Sequence, residues 1–142
     1  GRCLDPINGM PEVERLVEEY GRVARDAGLE SPVLSARSIA RRLSYDELTE
    51  EIAAGSPVVA AVSTSGEPFP EANDHVVLIT GYDAAGVLTV NDPYPYERFV
   101  PQDRNPYVLA GGREVRGGQY EIGFEAFIDW FGWAGSLYRI RD

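Results

Sequence analysis

Histidine occurs once in this 142-residue sequence, as His75, at the head of the apolar run HVVLITGY. A second apolar run, GVLTVND, ends 17 positions later at Asp92. An imidazole titrates near neutrality, so it can accept and return a proton at working pH. A carboxylate bonded to its second ring nitrogen fixes the tautomer and stabilises the charged ring. His75 and Asp92 can therefore form the base and orienting half of a hydrolytic triad. The third member, a nucleophile, has one thiol candidate, because Cys3 is the only cysteine. The plain alternative is a surface histidine at a strand start, with Asp92-Pro93 as a turn.

For the pair to meet, two strands must lie side by side. HVVLITGY and GVLTVND are both β-branched and apolar, and Asp83-Ala84-Ala85-Gly86 between them is a hairpin signal. A turn there brings His75 opposite about residue 93, so the start of one strand lies beside the end of the next. Asn91 is a second candidate orienter, but strand alternation puts it on the other face from Asp92.

The remaining elements follow the same local logic. Residues 1–10 read as loop, with Pro6, Asn8 and Gly9. PEVERLVEEYGRVARDAGL reads as a surface helix, opened by Pro11 with Glu12 and Glu14 in its first turn and followed by Gly28. Its apolar stripe is Val13, Leu16, Val17, Tyr20 and Val23. SPVLSARSIARRL reads as an extended segment, with a short helix as the alternative. SYDELTEEIAAGSP is a helix with an S-x-x-E capping box at Ser44 and Glu47, stopped at Gly55. PVVAAVST is a short buried strand, and SGEPFPEAND, with Pro68 and Pro70, reads as a loop. Residues 93–118 hold four of the ten prolines and read as a long surface excursion, a length often tied to function. The C-terminal stretch reads as a strand, a helix over 124–131 and a last strand near Leu137 to Ile140. The sum is a single α+β domain over residues 1–142, helices first and then a mainly antiparallel sheet.

Composition narrows the partners. The net charge is −10, from 23 acidic and 13 basic residues, and every basic residue is arginine. That balance argues against nucleic acid, which demands clustered positive charge. No apolar run is long enough for a membrane span and no secretory signal opens the chain. One cysteine excludes an internal disulfide framework and a multi-cysteine zinc site. The acids Glu67, Glu71, Asp74, Asp83, Asp92 and Asp103 lack the regular ligand spacing of a calcium loop and read as a solvated acidic face. No metal or other cofactor is expected. Tyr94, Tyr96, Tyr107, Trp130 and Trp133 read first as core and second as the wall of a substrate groove.

In order and spacing, GSPVVAAV, DHVVLITGYDAAGVLTVNDPY and YEIGFEAFIDWF resemble the papain-like cysteine peptidases of bacteria, nearest the double-glycine leader peptidases of bacteriocin exporters. The resemblance covers residues 44 to 140. It implies a papain-like fold that hydrolyses peptide bonds through a thioester, with His75 as general base, Asp92 as its orienter and a peptide or protein as substrate. It also implies a cysteine at the start of a long buried helix, because a helix N-terminus lowers a thiol pKa. Cys3 departs from that pattern: Leu4-Asp5-Pro6-Ile7-Asn8-Gly9 follows it, and the upstream glutamine of the family has no counterpart.

Three expectations result. The nucleophile is Cys3, or it lies upstream in a longer chain whose C-terminal portion this is, or on a second chain. In the rival reading the domain is catalytically inactive and binds a peptide or protein partner. Without the central helix, the inner faces of PVVAAVST and HVVLITGY are left thinly covered, so either the chain pairs with something or Cys3 and its loop pack more closely than the sequence suggests. Export from a bacterial cell fits the resemblance, but the sequence assigns no compartment.

Overall fold

Two glycines with positive φ end the two longest helices. The computed structural model describes residues 9–66 and 69–142, with side chains over 9–63 and 75–142. Helix α1 (Met10–Asp26) has Pro11 in its first turn and closes in a Schellman arrangement. In it Gly28, at φ 78°, donates to Arg25 O and Leu29 donates to Ala24 O. Strand β1 (Ser35–Ile39) follows, so the extended reading of that segment holds. Helix α2 (Tyr45–Ala53) ends the same way at Gly55.

The capping box at the start of α2 is present in both directions. Ser44 Oγ accepts from the Glu47 N–H at 3.2 Å, and Glu47 Oε2 accepts from the Ser44 N–H at 2.8 Å. Arg41 grips the same carboxylate with both terminal nitrogens, each at 2.8 Å. The Arg41 guanidinium, and then the Ser44 N–H, pull the Glu47 pKa down to about 2. A depressed carboxylate stabilises the fold above its unfolded pKa, and that contribution is lost as pH falls toward 2. The group is largely solvated, so the contribution is under about 1 kcal/mol. Urea unfolding of wild type and Glu47→Gln is expected to differ at neutral pH and to converge between roughly pH 4.5 and 2. A gap that stays constant down to pH 2 sinks the assignment.

Strands β2 (Val58–Gly66), β3 (Phe69–Tyr82), β4 (Val87–Asn91), β5 (Arg113–Arg116), β6 (Gln119–Gly123) and β7 (Gly135–Arg141) complete the sheet. Its order is β1-β7-β2-β3-β4-β6-β5, and every pairing is antiparallel. Between β4 and β5 the chain forms helix α3 (Tyr96–Phe99), a 3-10 turn (Gln102–Arg104) and helix α4 (Pro106–Leu109); helix α5 (Phe124–Phe131) lies between β6 and β7. Among the described residues, five α-helices and a seven-stranded antiparallel sheet make an α+β fold.

Alternation divides the sheet into two faces. Val58, Ala60, Val62, Val77, Ile79, Leu88 and Val90 enter the main core with Leu48, Phe127 and Phe131. On the other face Met10, Ala36, Ala61 and Leu137 are buried, with Val13 and Val17 of α1 packed on them. Past α1, Val59, Val76 and Leu78 are only half-buried and floor an open cleft of about 560 Å³. The sparse cover expected for the inner strands is therefore true of one face and untrue of the other.

Three expectations need correction. The segment read as a loop at 65–74 is strand at 65–66, the end of β2, and again from Phe69 onward, because Thr64 pairs with Ala72 and Gly66 with Phe69. Pro70 does not forbid this, since no third strand among the described residues pairs with β3 there. The stretch 93–118 is not a surface excursion: Tyr96, Val100, Asn105 and Tyr107 are buried. The apolar stripe of α1 also splits. Met10, Val13 and Val17 pack on the sheet and Gly21 and Ala24 are buried, Gly21 against the Pro32–Val33 backbone, whereas Leu16, Tyr20 and Val23 are 48%, 74% and 67% exposed.

Candidate active site

His75 pairs with Val62 across the β2–β3 ladder, and facing residues share a face of the sheet. Val62 belongs to the main core, so His75 stands at that core's rim. The β3–β4 ladder pairs Leu78 with Asn91 and Ile79 with Val90. Two positions past Val90, Asp92 falls on the same face as His75. Its N–H donates to Gly118 O at 2.7 Å, which holds the strand end against the β5–β6 turn.

The side chains then meet. His75 Nε2 lies 2.7 Å from Asp92 Oδ1, with the imidazole 18% exposed and the carboxylate 0% exposed. A carboxylate sealed from water is costly unless its oxygens are met by donors, and here both are. Oδ1 also accepts from the Tyr94 N–H at 2.9 Å, closing an Asx turn over Pro93. Oδ2 accepts from Tyr107 Oη at 2.8 Å and from Tyr96 Oη at 3.1 Å. Burial, then the adjacent Asp92 charge, pushes the Tyr107 and Tyr96 hydroxyls far above their usual range, so both remain donors.

The contact decides which ring nitrogen is basic. With Nε2 facing a carboxylate, the neutral ring carries its proton there, and Nδ1 is the atom able to take another. That is the reverse of the serine-protease template, in which Nδ1 faces the aspartate. Asn91 points away, accepting from Gln119 Nε2 at 3.0 Å. The strand-alternation reading of Asn91 therefore agrees with the geometry. Cys3 lies outside the described residues. The helix nearest to it in sequence is capped by Gly9 and opened by Met10 and Pro11.

The aromatic residues sort unequally. Tyr96, Tyr107 and Trp133 are buried, and Trp133 Nε1 donates to Gly135 O and Ser136 Oγ. Trp130 is 46% exposed. The Tyr94 ring stands edge-on to His75 at 6.4 Å. Sequence reasoning missed Tyr96 and Tyr107 as partners of Asp92. The available signal was chemical: a carboxylate closing a core strand must find donors, and Pro93-Tyr94-Pro95-Tyr96 follows it directly.

The open cleft lies on the opposite face of the sheet from His75 and shares Asp92 with this site. Asn91, Asp92 and Pro93 line one side of it, and Arg116, Gly117 and Gly118 line another. No helix among the described residues is long and apolar enough to cross a membrane. Compared with family models, the chain matches the Peptidase_C39 like family over residues 11–108, more than half its length. A search of curated proteins finds no match.

Proposed function

Because the chain belongs to the Peptidase_C39 like family, a papain-like relationship, we propose that it is a cysteine-peptidase domain of papain-like fold, with His75 as general base and Asp92 as its orienter. The observation that carries this reading is the 2.7 Å contact between His75 Nε2 and the buried Asp92 carboxylate. It leaves Nδ1 to take the proton of a thiol. The thiolate attacks the carbonyl carbon of a peptide bond, and the imidazolium returns its proton to the leaving amine. Water then hydrolyses the thioester, again with His75 as base. The substrate is a peptide or protein segment, and the nucleophile is either Cys3 or a cysteine outside these 142 residues.

A second reading is favoured by one specific observation. Gly9, Met10 and Pro11 start α1, and no helix among the described residues opens on a cysteine. On that reading the domain binds a peptide without cleaving it.

Alkylation with an iodoacetamide probe at about pH 6, where an ordinary thiol is almost wholly protonated, separates the two. If Cys3 is the nucleophile, it labels faster than free cysteine, and Cys3→Ser abolishes hydrolysis of a mixed peptide pool. Labelling no faster than a free thiol, with no hydrolysis by the chain, removes Cys3 from the mechanism. Hydrolysis restored only by a longer form of the chain then places the nucleophile outside it. Peptide binding without hydrolysis in either form establishes the second reading.

A further inference from the structure

We propose that Tyr107 and Tyr96 are positioning residues that clamp Asp92 Oδ2, so that Oδ1 stays on His75 Nε2 and Nδ1 remains the basic nitrogen. The inference rests on the role given to His75 above, and adds the device that enforces it. An aspartate side chain can turn about its last bond, which exchanges its two oxygens. Here Oδ2 is held from two directions, by hydroxyls at 2.8 Å and 3.1 Å carried on two separate short helices.

Each hydroxyl is itself fixed. Asn105 caps α4 and accepts the Tyr107 N–H at 3.0 Å, and Pro106 sets the first helical φ. The Tyr107 ring stacks on Tyr120 at 4.0 Å, with 4° between the planes, and packs on Phe131 at 4.6 Å. Tyr96 meets the edges of Tyr107 and Tyr120 at about 6 Å. The rings cannot swing without disturbing the core.

Tyr120 provides the control. It is as buried as Tyr107 and belongs to the same aromatic stack, but its hydroxyl accepts from Asn105 Nδ2 at 3.3 Å, and no bond to Asp92 is among its contacts. A general packing role makes Tyr120→Phe and Tyr107→Phe equivalent; a positioning role separates them.

The single histidine makes the test unambiguous, because one imidazole gives one set of nitrogen resonances. With ¹⁵N-labelled protein, the Nε2–H proton is expected to exchange slowly with solvent in wild type and in Tyr120→Phe. It is expected to exchange roughly tenfold faster in Tyr107→Phe, as loss of a hydrogen bond to a charged group implies, and faster again in Tyr96→Phe/Tyr107→Phe. Tyr96→Phe alone is expected to accelerate it less than Tyr107→Phe, and supplies a second route if that variant folds poorly. Protection equal to wild type in Tyr96→Phe and Tyr107→Phe overturns the proposal. So does an equal loss in Tyr120→Phe. The readout is independent of hydrolysis: no hydrolysis by this chain or by a longer form, beside this exchange pattern, defeats the peptidase reading and leaves the clamp standing.

Discussion

Asp92→Ala is expected to lower the free energy of unfolding by about 3–5 kcal/mol, a large share of the roughly 5–15 kcal/mol typical of a domain. The substitution removes one acceptor for four donors: His75 Nε2, the Tyr94 N–H and the Tyr96 and Tyr107 hydroxyls. The two hydroxyls matter most, since both rings are almost fully buried and neither can turn to water. A buried donor without a partner costs about 1–3 kcal/mol, and the vacated carboxylate volume adds to that. Asp92→Asn is the milder change, because its oxygen can still meet His75 and a tyrosine hydroxyl can accept from the new amide. Urea unfolding with matched slopes measures both. Asp92→Ala within 1 kcal/mol of wild type shows that the network is dispensable to the fold.

His75→Ala is expected to do the opposite: little to the fold and much to the chemistry. Its ring lies at the rim, and Asp92 Oδ1 keeps the Tyr94 N–H when it is gone. A positioned general base contributes about 10²–10⁴-fold. Peptide hydrolysis, by this chain or by a longer form supplying the nucleophile, is therefore expected to fall at least about 100-fold with unchanged circular dichroism. Retention of activity within about threefold removes His75 from the mechanism.

The strands around the site were legible because their signals are local. Alternating β-branched residues flank a turn at Asp83 to Gly86, and that turn alone brings the strand carrying His75 against the strand leading to Asp92. Helix α2 was legible for the same reason, its capping box and terminal glycine both lying within the segment. The stretch after Asp92 was not. Its prolines suggested an excursion, yet Pro106 begins a helix, and the tyrosines on either side are drawn inward by a carboxylate and an aromatic stack that only the fold assembles. The α1 stripe was overread because periodicity reports which residues are apolar, without reporting how wide an arc the sheet can cover. Pro70 misled because the rule against proline in strands assumes a neighbour on each side, and this part of β3 pairs with β2 alone among the described residues.

The paired strands β2 and β3 continue past the rung that joins Val62 to His75, and the register slips between Val62 and Thr64. On the far side of the slip, neither strand has another sheet partner among the described residues. Register on one side of such an irregularity is not dictated by register on the other. The tip of this arm can therefore gain or lose residues over evolutionary time, altering how far it reaches, while the rung that seats the histidine keeps its place. Length variation among homologous chains should concentrate there, and the spacing from His75 to Asp92 should stay constant.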